Sequence, residues 1–465
     1  MIEFILNNDH IKTDIKTGVS LLSFIRNHRG LKGTKAGCKE GDCGACTVLS
    51  GTLGENNTVD YKSIVSCLTP LANAHGKHIV TIEGLNLDKT LNTSQQVIKD
   101  NYATQCGFCT PGFVVSLTGL ALKGKKPDYY DAIDAFSGNI CRCTGYKSIE
   151  KAAKDFVVRL DDIDLNKNID WLIENKFIPG YFKDIPQRLK IIDNDFESRV
   201  HDEFIAGGTD IYVRYADKLT DKDISRVADL VPNKIFIKND ICYIGGNTTV
   251  ADIWHNDIFS KYFSDLKKYL KLISSEQIRN SATIAGNFVN ASPIGDMSIF
   301  FLALDSSLRL VDLNGEKRKI ALKDFFIDYK KIDLKENELI EFIEFELPDN
   351  NTFFNFEKVS KRTHLDIASV NTAVFVKTTG NKITKIHISL GGVSAIPKYL
   401  NRTSEFLTDK ELNKENILKA VEILQSEISP IDDIRGSIKY KRLLAKQLFF
   451  AHFMSKMPDI FDEQL

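Results

Sequence analysis

Several features that define common classes of protein are missing from this sequence. The 465 residues carry a formal net charge of −1 and no long basic block, so neither nucleic acid nor an anionic membrane is expected as a partner. No apolar run approaches the length of a membrane span, and residues 1–7 show no basic segment followed by an apolar run. These absences lead us to expect a cytoplasmic protein that is not bound to a membrane.

Some familiar site patterns are also missing. The nine histidines form no H-x-x-x-H pattern and no cluster with carboxylates. No glycine loop reads G-x-G-x-x-G, so a Rossmann nicotinamide-binding fold is not supported. The segment GLALKGKK (119–126) resembles a phosphate loop but lacks the final Ser or Thr and follows a predicted helix. We therefore interpret Gly124 as the end of that helix.

Cysteine, by contrast, is unevenly distributed. Hydrophobic content of 43% and charged content of 26% are ordinary for a globular chain, and the length suggests about three domains. Eight of the nine cysteines lie in the first third of the chain, in two groups of four. Clustered thiols without a secretory signal indicate metal or redox chemistry in a reducing compartment rather than disulfides.

The first group lies in the segment GCKEGDCGAC (37–46). Cys38, Cys43 and Cys46 have the spacing C-x4-C-x2-C, and Cys67 follows. This spacing is typical of a plant-type [2Fe–2S] cluster, whereas a zinc site usually has C-x2-C pairs and a disulfide framework is the other alternative. The glycines at 37, 41 and 44 would allow positive φ angles and a close approach of the backbone to the cluster.

The second group consists of Cys106, Cys109, Cys141 and Cys143. The pattern C-x2-C…C-x-C matches neither common zinc spacing. Each pair precedes an apolar run with helical character, and Pro111 is suited to a first helical turn. Thiolates near helix N-termini suit an anionic cluster, because the free N–H groups favour negative charge there.

Periodicity and composition predict the surrounding elements. Ile2, Phe4 and Leu6 alternate with Glu3 and Ile5, which indicates a half-buried strand. Further strands are predicted at 11–15, 46–49, 63–67, 204–206, 372–376 and 386–390; helices are predicted at 19–26 with Ser20 as N-cap, 417–424 and 440–454.

Three other residues have side chains capable of a function, namely Cys242, His364 and Arg142. Cys242 lies alone in an apolar strand and is interpreted as a small buried hydrophobe. His364 is expected in a surface loop. Arg142, between two cysteines, is either exposed to solvent or a donor that lowers the pKa of the neighbouring thiolates.

The two cysteine groups, followed by AGGTD (206–210) and TIAGNFVNASPIGD (283–296), resemble the iron–sulfur and flavin portion of the xanthine dehydrogenase family. The segment KVSKRTHLDIA (358–368) and the segment IRGS (434–437) with Tyr440 and Arg442 extend the resemblance over nearly the whole chain. The cysteine motifs are highly specific, and the flavin loops are convincing only in combination with them.

The resemblance implies an α+β multidomain fold. Its parts would be a β-grasp ferredoxin domain (1–82), a helical [2Fe–2S] domain (83–160), a linker (161–176), a vanillyl-alcohol-oxidase/PCMH-type FAD domain (177–347) and a C-terminal α+β domain like that of the CO dehydrogenase flavoprotein (348–465).

The resemblance also implies cofactors and the residues that hold them. Two [2Fe–2S] clusters would be bound by Cys38, Cys43, Cys46, Cys67, Cys106, Cys109, Cys141 and Cys143. FAD would be bound by Phe204, Ile205, Ala206, Gly207, Gly208, Thr209, Asp210, Ile211, Ile273, Thr283, Asn287, Ser292, Asp296, Ile340 and Lys358.

The activity implied is that of the small subunit of a two-chain bacterial xanthine dehydrogenase. A large subunit would hold the molybdenum cofactor and oxidise the purine, and two small and two large chains would form a heterotetramer. NAD would be the electron acceptor. No catalytic side chain is expected in this chain. The alternatives are the small subunit of another molybdenum hydroxylase, with an aldehyde, nicotinate or aromatic substrate, or a non-catalytic electron carrier. Ile273 and Leu365 depart from the family pattern in the region where NAD is expected.

Overall fold

The computed structural model describes residues 1–192, 201 and 203–456. The chain forms two compact units. Unit 1 comprises residues 1–227 and 275–282, and unit 2 comprises residues 228–274 and the chain from 283 onward. In the part of the chain that the structure describes, no helix is both long enough and apolar enough to cross a membrane.

The elements are numbered along the chain. The strands are β1 (Ile2–Leu6), β2 (Asp9–Thr13), β3 (Thr47–Leu53), β4 (Val59–Val65), β5 (His78–Val80), β6 (Phe204–Ile205), β7 (Ser225–Arg226), β8 (Ile235–Lys238), β9 (Ile241–Gly245), β10 (Ser307–Asp312), β11 (Lys317–Ala321), β12 (Phe326–Asp328), β13 (Lys331–Ile332), β14 (Glu338–Glu346), β15 (Thr352–Val359), β16 (Val370–Thr379), β17 (Lys382–Gly391) and β18 (Lys398–Tyr399). The helices are α1 (Leu21–Ser23), α2 (Thr93–Asp100), α3 (Thr110–Ala121), α4 (Tyr129–Ala135), α5 (Lys147–Val158), α6 (Asn168–Glu174), α7 (Ile185–Lys190), α8 (Ile211–Leu219), α9 (Val250–Trp254), α10 (Asp257–Tyr262), α11 (Leu266–Lys271), α12 (Glu276–Arg279), α13 (Ile284–Asn290), α14 (Asp296–Leu302), α15 (Leu322–Phe325), α16 (Asn401–Leu407), α17 (Lys414–Glu427) and α18 (Ile438–Lys456).

A five-stranded sheet in the order β2-β1-β5-β3-β4 begins unit 1. β1 pairs with β5 in parallel and with β2 antiparallel. The prediction that β1 is half-buried is wrong for Ile5, which is as buried as Phe4. Ile5 packs with Ile185 and Leu189 on the second face of the strand, so α7 covers a face that alternation alone assigned to solvent.

The helix predicted from Val19 to Arg26 is present in a modified form. The Ser20 side chain accepts a hydrogen bond from the Ser23 N–H at 3.2 Å, which confirms Ser20 as the N-cap. After α1 the chain continues as a π-helical turn over Phe24–His28. The segment keeps its buried apolar face in spite of this change of winding.

The helical part of unit 1 is organised by α3. Pro111 lies in the first turn of α3, as predicted, and nearly all residues of the helix are buried. Gly119 lets α3 approach the sheet, since a Cβ there would lie 2.7 Å from the Ser63 hydroxyl. The region predicted as a linker, 161–176, contains α6, whose Leu172 is fully buried in the same core.

Unit 1 also includes elements from later in the chain. β6 and β7 form a parallel pair, and α8 follows the loop after β6. Helix α12 belongs to unit 1, although the residues on both sides of the segment 275–282 belong to unit 2. Gly124 has φ +62° just beyond the end of α3, in agreement with its interpretation as a helix stop.

Unit 2 contains two larger sheets. One has the strand order β11-β10-β14-β9-β8 and the other β15-β16-β17-β18, and the neighbouring strands of both are antiparallel. The second sheet shares a hydrophobic core with α16, α17 and α18. The strands predicted at 372–376 and 386–390 and the helices predicted at 417–424 and 440–454 are confirmed.

Candidate cofactor sites

Three cysteines of the first group, Cys38, Cys43 and Cys46, lie in the loop between α1 and β3, and Cys67 follows β4. The Sγ atoms of Cys46 and Cys67 are 3.3 Å apart, and both residues are buried. The Cys38 N–H donates to Cys43 Sγ at 3.4 Å, and the Glu40 N–H donates to Cys38 Sγ at 3.3 Å. Backbone donors directed at sulfur favour the thiolate form that a metal requires.

Glycine is required in this loop for two reasons. Gly41 and Gly44 have φ +82° and +64°, as the sequence predicted. Gly37 does not have a positive φ. Its requirement is steric, because a Cβ at this position would lie 2.7 Å from Cys43 Sγ. The loop is therefore folded tightly around its own thiols.

The second cysteine group lies at the beginnings of two helices. Cys109 is the N-cap residue of α3, and Cys141 and Cys143 precede α5. The Thr144 hydroxyl donates to Cys141 Sγ at 3.2 Å, and the Cys141 N–H donates to the Tyr146 hydroxyl at 3.1 Å. The predicted placement of these thiols near helix N-termini is confirmed.

The thiols of both groups are arranged in pairs. A side-chain hydrogen bond joins Cys46 with Cys67. The thiol of Cys38 affects the pKa of Cys43 and is affected by it, the same holds for Cys109 with Cys141, and the Cys106 thiol raises the pKa of Cys143. A [2Fe–2S] cluster with four cysteine ligands presents two thiolates to each of its two irons. Two thiol pairs per group therefore fit this cluster. No three or more His, Cys, Asp or Glu residues in the described part of the chain are grouped so as to hold a single metal ion.

The pairing of the thiols also shifts their pKa values. The hydrogen bond from Cys43 lowers the pKa of Cys38 to about 5, and the same bond raises the pKa of Cys43. Burial, together with the Cys141 thiol, raises the pKa of Cys109 to about 12. Within such a pair one sulfur keeps a proton, and ligation of iron would remove it.

Hydrogen bonds also join the two groups. The Ile140 N–H, next to Cys141, donates to the carbonyl oxygen of Cys43 at 3.0 Å. The Asn139 side-chain amide donates to the neighbouring carbonyl of Gly44, also at 3.0 Å. We call these residues, Cys43, Gly44, Asn139, Ile140 and Cys141, the junction. No local sequence pattern indicates this contact.

The first predicted flavin loop, Phe204–Ile211, lies in unit 1. The Asn73 side-chain amide donates to the Ala206 carbonyl at 2.7 Å. A Cβ on Gly207 would lie 1.7 Å from the Ser281 carbonyl oxygen, and Gly208 combines φ +81° with a Cβ position 2.5 Å from the Leu68 carbonyl oxygen. The loop forms a cradle that admits no side chain at these two positions.

The second predicted flavin loop lies in unit 2. Thr283 caps α13 by accepting from the Gly286 N–H at 3.1 Å. The side-chain oxygen of Asn287 accepts from both the backbone N–H and the hydroxyl of Ser298, at 3.1 and 3.0 Å. Asn287 therefore has its amide NH₂ group, rather than its oxygen, to offer a pyrophosphate.

Two predicted flavin residues pair with each other in unit 2. The Lys358 ammonium lies 2.7 Å from the Asp296 carboxylate and donates to the Leu272 carbonyl at 2.8 Å. The Asn371 amide donates to the other Asp296 oxygen at 2.6 Å. Asn371 was not predicted; its only signal in the sequence is an amide side chain within the apolar run of β16. Of the remaining predicted residues in this unit, Ile273 and Ile340 are buried and Ser292 is half-buried.

The structure also places Cys242, His364 and Arg142. Cys242 is fully buried, and burial raises the pKa of its thiol to about 12, in agreement with its interpretation as a core residue. His364 is exposed, as predicted. The Arg142 side chain is exposed between Cys141 and Cys143.

Comparison with known families assigns four successive domains. Residues 4–72 match the 2Fe-2S iron–sulfur cluster binding domain, and residues 81–154 match the [2Fe-2S] binding domain. Residues 185–348 match the FAD binding domain in molybdopterin dehydrogenase, and residues 356–455 match the CO dehydrogenase flavoprotein C-terminal domain.

Two curated relatives and one solved structure illustrate the similarity. Xanthine dehydrogenase of Oryza sativa subsp. japonica is 27% identical over 94% of this chain and 38% of its own length. Xanthine dehydrogenase of Emericella nidulans is 27% identical over 99% of this chain and 39% of its own length. A reconstituted CO dehydrogenase from Oligotropha carboxidovorans has a TM-score of 0.50 at 23% identity, over 56% of this chain and 90% of that chain, and shows the fold alone.

These domains define an iron–sulfur flavoprotein of the molybdenum hydroxylase type, and the predicted α+β multidomain fold class is confirmed. Over nearly its whole length the chain is similar, at 27% identity, to these two xanthine dehydrogenases. It contains two [2Fe–2S] domains and an FAD-binding domain, and it spans less than two-fifths of the length of these relatives.

Proposed function

We propose that the chain is the electron-transferring small subunit of a xanthine dehydrogenase. Its work is to carry electrons between a molybdenum-cofactor subunit and NAD. When bound, the two clusters and FAD supply the redox chemistry, and the polypeptide supplies position and electrostatics. The observation that carries the proposal is the direct hydrogen bond from the Ile140 N–H to the Cys43 carbonyl, because it joins two complete sets of cluster ligands in one chain.

We propose residues that would hold each group, and the geometry of the two cysteine groups and the flavin loops supports the choice. Each cysteine quartet offers two thiol pairs, one for each iron, and the glycines of the first loop allow close wrapping. For FAD, the backbone of Gly207 and Gly208 and the side chains of Asn287 and Ser292 are proposed to receive the pyrophosphate. Lys358 and Asp296 act indirectly by holding the loop before α14 in place.

The exposed thiols support a place for the partner. Cys106 and Cys143 are exposed, unlike Cys46 and Cys67, and Tyr102 and Phe108 beside Cys106 are 85% and 47% exposed. Exposed aromatic side chains next to ligands are suited to a protein interface. We propose that the molybdenum-cofactor subunit docks here, in a cytoplasmic heterotetramer of two small and two large chains.

Purine oxidation and NAD are the finer parts of the proposal. They are supported by the similarity to proteins that are themselves named xanthine dehydrogenase. The alternative is the small subunit of another molybdenum hydroxylase, and two positions favour considering it. Ile273 is buried and aliphatic where animal members of the family have an aromatic residue, and Leu365 has φ +55° in the exposed loop before Asp366.

One experiment tests whether this chain transfers electrons while a partner subunit hydroxylates the substrate. The purified chain, reconstituted with iron, sulfide and FAD, should oxidise NADH with an artificial electron acceptor and should not hydroxylate xanthine. Addition of the partner subunit should produce xanthine-dependent reduction of NAD. Xanthine hydroxylation by this polypeptide alone would contradict the two-subunit proposal. Failure to react with NADH would favour the alternative.

A further inference from the structure

The segment 275–282 makes contacts outside the domain to which its sequence assigns it. It falls within the match to the FAD-binding domain, yet it is part of unit 1, together with both cysteine groups. The Asn280 amide donates to the Ser63 carbonyl at 2.9 Å, and Glu276 forms an ion pair with Lys123. A Cβ on Gly41, in the first cysteine loop, would lie 2.8 Å from the Ile278 side chain. The segment therefore contacts both cluster domains.

Gln277 is the most deeply buried polar residue of this segment. Its side chain is fully buried, and its Nε2 lies 3.0 Å from the Ala135 carbonyl, 3.1 Å from Asn139 Oδ1 and 3.2 Å from Ser116 Oγ. Its Oε1 has no hydrogen-bond partner among the described residues and lies where a Cβ on Gly138 would be 2.3 Å away. Burying an amide with one unmet acceptor costs stability, so this residue needs an explanation other than packing.

We infer from the geometry that Gln277 is buried here because it supports the junction. Asn139 Oδ1 accepts from Gln277 and from Ser116, and this fixes the amide so that Nδ2 points to the Gly44 carbonyl at 3.0 Å. The next residue, Ile140, donates to the Cys43 carbonyl at 3.0 Å, and the residue after it is Cys141. A single buried amide thus determines how the backbone beside one ligand cysteine meets the backbone beside another.

We propose that Gln277 is a positioning residue for electron transfer between the two cluster sites. It holds Asn139, and through Asn139 it keeps the Ile140–Cys43 hydrogen bond at its short length. In each transfer one cluster is oxidised by one electron and the other is reduced by one electron, while no bond is made or broken and no proton moves. The inference rests on the proposed function, because it requires clusters at both cysteine groups.

The test compares three variants of the complete, reconstituted chain with the wild type. Gln277→Met keeps the side-chain length and removes the hydrogen bonds. Gln277→Glu keeps the shape but places an acceptor against Asn139 Oδ1. Asn280→Ala is the matched control, because it removes a hydrogen bond of the same segment to Ser63 without touching the junction.

The readouts are the magnetic interaction between the two reduced clusters in the EPR spectrum, the rate of electron equilibration between them after rapid reduction by dithionite, and iron content. In both Gln277 variants we expect full iron content, a weaker magnetic interaction and a lower rate of electron equilibration, since loss of the hydrogen bonds would let the two cluster sites move relative to each other. The Asn280→Ala chain should match the wild type in all three.

Several outcomes would overturn the inference, and they are distinct from failure of the proposed function. Absence of one cluster from the wild type would contradict the proposed function itself. Both clusters present in the Gln277 variants with unchanged interaction and rate would overturn the positioning role. An equal loss in Asn280→Ala, or loss of iron from both Gln277 variants, would make the role of the segment purely structural and would overturn it as well.

Discussion

The eight candidate ligand cysteines differ in how far they are open to solvent. Cys46, Cys67 and Cys141 are buried, whereas Cys106 and Cys143 are exposed. An exposed thiol is directly accessible to small molecules in solution, whereas a buried thiol is shielded by the side chains packed around it. The cluster at Cys106 and Cys143 is therefore the one that we expect exogenous oxidants and chelators to reach first.

Replacing one cysteine of each quartet should remove one cluster at a time. In Cys43→Ala and in Cys109→Ala, iron content should fall by about two per chain, because a [2Fe–2S] centre with one thiolate missing is no longer fully ligated. Iron analysis and EPR spectroscopy measure the result, and each variant should keep the signal of the other centre. Zinc in place of iron, or loss of both signals from a folded variant, would contradict two separate clusters.

The flavin loop of unit 2 offers a test that depends on charge. Ser292→Glu should expel FAD, because a carboxylate at the proposed pyrophosphate site repels the phosphates at close range. Ser292→Ala is the matched control and should retain FAD, as measured by the flavin released on denaturation. Gly208→Val would test the other loop less cleanly, since Gly208 has φ +81° and its Cβ would meet the Leu68 carbonyl. Stoichiometric FAD in Ser292→Glu would exclude this loop as the phosphate site.

At the scale of elements, helix α3 connects the second cysteine group to the sheet of the first. It begins at Cys109 and passes its Gly119 against β3 and β4, where a Cβ would lie 2.8 Å from the Leu49 side chain and 2.7 Å from the Ser63 hydroxyl. The close approach needs a residue without a side chain. The position of Cys109, a candidate ligand, is thereby coupled to the packing of the ferredoxin sheet.

Gly119→Val should destabilise unit 1 by about 1–3 kcal/mol, because it forces extra volume into a packed interface. The thermal denaturation midpoint of the variant, followed by circular dichroism, should fall. Gly180→Ala is the control, because nothing lies within 4 Å of a Cβ at that position, and its midpoint should equal that of the wild type. A Gly119→Val chain as stable as the wild type would show that α3 shifts freely on the sheet.

At the scale of the whole molecule, the exposed cysteine group and the flavin serve opposite ends of the proposed electron path. We expect Cys106→Ser to abolish xanthine-dependent NAD reduction in the assembly with the partner subunit, and to leave NADH oxidation by an artificial acceptor within about twofold of the wild type. The first reaction needs the cluster beside the partner, whereas the second needs only the flavin. Equal loss of both activities would indicate that the variant damages the fold rather than one end of the path.

Most of the architecture was accessible from local patterns. Ser20 as N-cap, Pro111 in the first turn of α3 and the strands of the last domain depend on neighbours within a few residues, and all appear as predicted. The errors arose where a distant element intervened. Ile5 is buried by α7, and α6 occupies a stretch that composition assigned to a linker.

The sequence alone was sufficient to propose which residues carry the chemistry, because candidate ligand sets and caps follow from spacing along the chain. It could not determine how the two cysteine groups contact each other in the folded chain. Gln277 lies 138 residues from Asn139, and Asn139 lies 95 residues from Gly44, so no local pattern links them. Only the tertiary structure brings a polar side chain of the FAD-binding domain to the contact between the two cysteine groups, because contacts so far apart in the chain depend on how whole elements pack.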